Sequence, residues 1–286
     1  PPPPRRGRVG EGGLPYSRQS ALGSMAIHFS EAEFAGRRQR ACAEMNRRGL
    51  GGLLIFRQES MYYLTGYDTF GFVFFQCLYL GPDGRMTLLT RSADRLQARH
   101  TSVIEDVRIW VDGPDADPAR ELRAIIAEHK GGGGRLGVEY DAYGLTAANG
   151  RRLEAAMAGF ATLVDASDLV TRQRAVKSAA EIAYVRRAAE LADAALDEAH
   201  RLAAPGAFEG DILAAMQGAI FKGDGDYPAN EFIIGSGRDA LLCRYFSGRR
   251  KLDAEDQLTL EFAGVYRHYH AALMRTIPIG RASQRQ

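Results

Sequence analysis

Two apolar runs, Leu258 to Val265 and Tyr269 to Ile279, stand either side of a short polar break at Arg267 and His268. Runs of this length and spacing read as an antiparallel hairpin. With the turn centred between Tyr266 and Arg267, Glu261 lies opposite Ala272 and Ala263 opposite His270. Side chains alternate faces along a strand, so Glu261, Ala263, His270, Ala272 and Met274 share one face. A carboxylate and an imidazole then meet diagonally over a floor of small residues. The plainer alternative is a glutamate turned to solvent and a histidine on the surface near a turn, since charged groups are seldom buried without partners.

The chain has 286 residues, 45% hydrophobic and 25% charged, which suits one large or two ordinary domains with ample core. No long uninterrupted apolar run occurs, so no membrane span is expected. Of the formal charge of +2, the first 24 residues carry Arg5, Arg6, Arg8 and Arg18 against Glu11. The basic character belongs to that segment, and the body offers no nucleic-acid footprint. Residues 1–24, rich in Pro, Gly and Arg, are expected to be disordered, and they lack the apolar centre of a signal peptide. Met25 is the expected natural start. Cys42, Cys77 and Cys243 are too few and too scattered for a disulfide framework or a metal knuckle, and fit reduced thiols in a cytoplasmic protein.

From Ser30 the pattern becomes regular. Ser30 and Glu33 make a capping-box start to a helix running to about Arg48, with Phe34, Ala41 and Met45 on its apolar side. Strands are expected at Leu50 to Phe56, Phe70 to Leu80, Met86 to Thr90, Val103 to Val111 and Leu136 to Glu139, with a helix from Asp117 to Lys130. Residues 25–170 therefore read as an α/β domain. Residues 171–286 form a second domain, opened by a capping box at Ser178 and Glu181. Its first helix carries Ile182, Val185, Ala189, Ala192 and Leu196 at helical spacing, and its second carries Ile212, Met216 and Ile220. The strand Glu231 to Ile234 leads toward the hairpin.

The ordered segments Tyr63-Leu64-Thr65-Gly66, Val176 to Ile182, Ala204-Pro205-Gly206, Ile234 to Gly237, Arg250-Lys251-Leu252, and Glu261-Phe262-Ala263-Gly264 with Arg275-Thr276 resemble the creatinase/aminopeptidase P superfamily (M24, pita-bread). The resemblance runs from about Ser30 to Gly280. It implies a creatinase-type α/β domain followed by an α+β pita-bread catalytic domain, usually in a homodimer whose N-terminal domain caps the partner's site. In the metallopeptidase members two aspartates eleven residues apart on this hairpin hold two metal ions. Here those positions are Glu261 and Ala272, and Arg244 stands where peptidases and creatinase carry a catalytic histidine. Alanine cannot ligate and a guanidinium repels divalent metal, so the departures imply a metal-independent member with no cofactor.

Within the superfamily, Tyr227 to Phe246 followed by Glu261 to His270 most resembles ectoine hydrolases, which open the cyclic amidine of ectoine to acetylated diaminobutyrate. That resemblance implies a small zwitterionic substrate. Glu261 then holds the amidinium and either activates water or attacks the ring carbon. His270 is the candidate for proton transfer to the leaving nitrogen, and Arg244 for the substrate carboxylate. His268, Tyr67 and Phe70 are further candidate substrate contacts, each set against an ordinary surface or core role. Relatives continue beyond Gly280 with further strands of the sheet, so the pita-bread domain is expected to be incomplete and the chain alone impaired. The alternatives are a metal-dependent Xaa-Pro peptidase or dimethylsulfoniopropionate lyase, and a non-catalytic partner-binding protein.

Overall fold

In the computed structural model, which describes residues 27–242 and 248–282, Ser30 caps helix α1 (Glu31–Arg47) by accepting from the Glu33 N–H at 3.2 Å. The Glu33 carboxylate does not complete a capping box. It accepts instead from Arg37 at 3.1 Å. Arg37 is fully buried, donates to the Tyr63 carbonyl at 2.9 Å, and lies 4.1 Å from the Phe29 ring and 4.4 Å from the Tyr63 ring. A buried guanidinium persists here because its charge is paired with Glu33, its Nε and Nη1 donate to Glu33 and Tyr63, and its flat face lies against aromatic rings.

The chain divides into two units at Val176 and Lys177. The first is built on a six-stranded sheet: β1 (Gly52–Ile55), β2 (Cys77–Leu80), β3 (Met86–Arg91), β4 (Asp106–Trp110), β5 (Arg135–Val138) and β6 (Thr162–Asp165), in the order β4-β3-β2-β1-β5-β6. Its other helices are α2 (Gln58–Thr65), α3 (Arg95–Thr101), α4 (Pro118–Glu128), α5 (Ala147–Met157) and α6 (Asp168–Ala175). One face packs on Ala41, Met45, Met61, Leu64 and Leu169, and the other on Leu122, Ile126, Leu153 and Met157. That explains why β1 is buried at every position: its side chains enter a core on each side.

Two expectations shift. The strand expected from Phe70 begins only at Cys77, because Gly71–Val73 forms a 3-10 turn; the Thr69 hydroxyl accepts from the Gly71 N–H at 2.7 Å. The first unit also continues past 170. Leu169 and Val170 lie in its core, and Arg48 holds Asp168 at 2.6 Å and 3.0 Å.

The second unit comprises α7 (Ala179–Leu202), α8 (Glu209–Lys222) and an antiparallel sheet of β7 (Ile233–Ser236), β8 (Asp256–Tyr266) and β9 (Tyr269–Ile279), in the order β7-β8-β9. The capping box is complete: Ser178 accepts from the Glu181 N–H and Glu181 from the Ser178 N–H. The buried stripe of α7 is Ala188, Leu191, Ala192, Ala195 and Ala199, while Ile182 is 39% exposed. The expected stripe holds at Ala192 and in part at Leu196, and is otherwise rotated because contact is set by closeness of approach rather than by side-chain size. A Cβ on Gly264 of β8 would sit 1.9 Å from the Ala188 carbonyl oxygen, so small residues are required on both sides. In α8, Ile212, Met216 and Ile220 are buried as the spacing predicts.

Candidate active site

The hairpin forms, with its register moved by two residues. Tyr266 pairs with Tyr269, Val265 with His270, Ala263 with Ala272 and Glu261 with Met274. The turn is Arg267-His268, both at positive φ (49° and 65°), the conformation of a type I′ turn whose twist matches the flanking strands. Glycine or asparagine usually occupies such positions. Here Arg267 is held by Asp224 at 3.0 Å, and the His268 N–H donates to Asp226 at 3.1 Å.

A shift of two leaves every side chain on its expected face. Leu258, Leu260, Phe262, Ile277 and Ile279 enter the core with α7 and α8. Glu261, Ala263, Val265, His270, Ala272 and Met274 lie on the opposite, outer face, where Met274 is 63% exposed. Positions 261 and 272 are diagonal neighbours on that face, within reach of one another's longer side chains. Glu261 has Ala263, Ala272 and Met274 around it, and no cluster of three or more His, Cys, Asp or Glu is placed to hold a metal among the described residues. The described donor set does not fit a two-metal centre.

The expected meeting of Glu261 with His270 does not occur. His270 lies opposite Val265, four residues along β8 from Glu261, or roughly 13 Å. Its Nε2 accepts from the Ala229 N–H at 3.0 Å, and its Nδ1 faces the His268 carbonyl at 2.9 Å. A carbonyl only accepts, so Nδ1 carries the proton and the ring is neutral. The residue is exposed to solvent. Its pKa is nonetheless lowered, chiefly by desolvation and also by the His268 side chain, against the raising effect of the His268 carbonyl and of Asp226.

The other candidates fall apart spatially. His268 is an exposed turn residue engaged through its backbone. Tyr269 points to the core face and donates to Glu181 at 2.8 Å, fastening β9 to the start of α7. Arg244 lies outside the described residues. Tyr67 is 1% exposed in the core of the first unit, too enclosed there to touch a substrate, and its hydroxyl faces Gln76. Phe70 is 77% exposed and stacks edge-on against Phe72.

Two carboxylates escaped sequence reasoning. Phe232 reaches the core to meet Phe262 at 5.8 Å, so the alternation of β7 extends backward and exposed Glu231 stands on the Glu261 face. That alternation was the available signal. Glu139, at the end of β5, is fully buried and accepts from the Phe56 and Arg57 N–H groups and the Ser60 hydroxyl. Burial pushes its pKa up to about 7 against those hydrogen bonds. It lies where β1 and β5 send their connections to opposite faces of the sheet. Beside it a crevice of about 440 Å³ is lined by Arg57, Gln58, Phe72, Tyr140 and Tyr143. Arg57 in that crevice already serves Thr171 and Asp141, which marks it as a structural clasp.

Residues 37–176 match the Creatinase/Prolidase N-terminal domain and residues 183–286 the Metallopeptidase family M24. An uncharacterized hydrolase/peptidase of Sinorhizobium fredii is 30% identical over 269 residues, covering 90% of this chain and 68% of that protein. The ectoine hydrolase of Halomonas elongata is 30% identical over 277 residues, with the same coverage. The X-Pro aminopeptidase from Thermotoga maritima superposes with a TM-score of 0.74 at 21% identity, over 87% of this chain and 66% of that one. The chain thus spans about two thirds of the length of the relatives it matches.

Proposed function

This chain belongs to the M24 metallopeptidase family, with a creatinase-type N-terminal domain, and we propose that within that family of hydrolases it serves the metal-independent opening of a cyclic amidine, with ectoine as substrate. The observation that carries the reading is Glu261 among alanines: a carboxylate on the outer face with Ala272 at the diagonal position where a second ligand belongs. Similarity to the Halomonas elongata ectoine hydrolase supports the same direction.

In this reading Glu261 holds the amidinium cation and activates water, or attacks the ring carbon itself. By the first route the water oxygen adds to the amidine carbon, the ring C–N bond breaks and the freed nitrogen takes a proton, leaving an acetylated amine; by the second the Glu261 oxygen adds, the ring C–N bond breaks with protonation of the nitrogen, and water then displaces the carboxylate to give the same product. Arg244 supplies the fork for the substrate carboxylate. The protein works as a cytoplasmic homodimer. Proton delivery is not assigned to His270, whose ring is committed elsewhere.

The test is ring opening followed by mass spectrometry in the chain and in a version extended to the length of its relatives, with Glu261→Gln as the variant. Loss of a general base predicts a fall of about 100-fold or more. Wild-type turnover by Glu261→Gln would remove this residue from the mechanism. One or two tightly bound transition ions per chain, with activity abolished by chelation, would favour an Xaa-Pro peptidase or a dimethylsulfoniopropionate lyase instead. Stable capture of a partner without turnover would favour a non-catalytic role, and light scattering reads the dimer directly.

A further inference from the structure

We propose that His270 is a positioning residue whose imidazole reaches over β8 to hold segment 227–232 on the sheet, setting Glu231 beside Glu261 as a second carboxylate for a cationic substrate. His270 pairs with Val265, and the segment leading into β7 passes the other side of that same residue, whose carbonyl accepts from the Asp226 N–H. The Nε2 to Ala229 hydrogen bond, 3.0 Å, therefore joins β9 to the segment leading into β7, two strands away. The segment has other fastenings at its start: the Asp226 N–H donates to the Val265 carbonyl at 3.0 Å, and Asp224 pairs with Arg267. At its end Phe232 is anchored in the core. Between them, His270 accepts from the backbone N–H next to Asn230.

The chemistry of the ring follows. The His268 carbonyl fixes the proton on Nδ1, which leaves Nε2 as the acceptor that Ala229 requires. Protonation would turn Nε2 into a donor facing a donor and release the segment. The groups facing the ring are His268 and Asp226, with the Asp224 and Arg267 pair beyond them. Because the neutral ring is favoured in the fold, the latch is fully closed above the ordinary histidine pKa of about 6.5 and opens as pH falls below it. Glu231 and Glu261, diagonal on one face, then offer two anions to one amidinium. This part rests on the amidine reading; the latch itself does not.

The experiment compares His270→Gln, whose Oε1 can accept from Ala229 but cannot titrate or move a proton near neutrality, with His270→Ala. By NMR at pH 7.5, His270→Ala is expected to speed Ala229 amide exchange by about 3- to 10-fold, the loss of one hydrogen bond, while His270→Gln stays near wild type. The wild-type amide loses protection below pH 6.5, and that of His270→Gln does not. Turnover is expected to follow the same order, with His270→Gln rescuing most of the loss and Glu231→Gln raising KM several-fold more than it lowers kcat. Unchanged Ala229 exchange in His270→Ala overturns the latch. Turnover in His270→Gln as low as in His270→Ala, with Ala229 still protected, overturns the positioning role in favour of proton transfer. A protein that opens no amidine ring sinks the substrate reading, and amide exchange still decides the latch.

Discussion

Adding one methyl group at two glycines of the second unit should move stability in opposite directions. At Gly264, in β8, a Cβ would stand 1.9 Å from the Ala188 carbonyl oxygen and 2.4 Å from the Ala192 nitrogen. Comfortable carbon-to-oxygen contact is about 3.3 Å, so α7 and β8 must part by roughly 1.4 Å. Both obstructing atoms are helix backbone, which cannot rotate away as a side chain can. Separation would loosen the layer formed by Ala192, Ala195, Leu260 and Phe262. Overpacking of this kind costs about 1–3 kcal/mol, and backbone atoms put Gly264→Ala at the upper end. At Gly218, inside α8, the same Cβ meets nothing within 4 Å. Gly218→Ala should stabilise by about 0.5–1 kcal/mol through helix propensity. Urea unfolding followed by circular dichroism, with midpoints compared at constant m, measures both. A Gly264→Ala protein as stable as the parent would refute the close α7–β8 contact, and with it the reason for the alanine stripe.

Glu139 makes stability depend on pH in an unusual direction. Its pKa is raised to about 7, so the folded state holds a proton that the unfolded chain has released above about 4.5, and stability should fall as pH rises between those values, by up to about 3 kcal/mol. Midpoints measured across that range should slope downward in the parent and lose that component in Glu139→Gln; equal slopes would remove Glu139 as the cause. Arg37→Lys keeps the charge but loses the planar contact with Phe29 and the fixed geometry toward Tyr63 and Glu33, and should destabilise by about 1–3 kcal/mol in thermal unfolding. A neutral result would show that charge alone matters there.

The hairpin, its faces, the capping box at Ser178 and the stripe on α8 were all readable from the sequence, because each depends on neighbours two to four residues apart. The family motifs likewise located Glu261 and the alanine at 272. What local pattern could not decide was register: the turn could fall between Tyr266 and Arg267 or span Arg267-His268, and only docking of Asp224 and Asp226 against the turn selects the second. That choice parts His270 from Glu261 and hands its ring to Ala229. It also could not decide which residues of α7 face inward, since the answer lies on β8 at Gly264, seventy-odd residues away. Tyr67 shows the same limit, an aromatic suited to a site or a core that the packing of α1 and α2 draws inside. Periodicity along one strand or helix is a property of the chain itself. Who stands opposite, and how close, is settled only when separate elements compete for the same space.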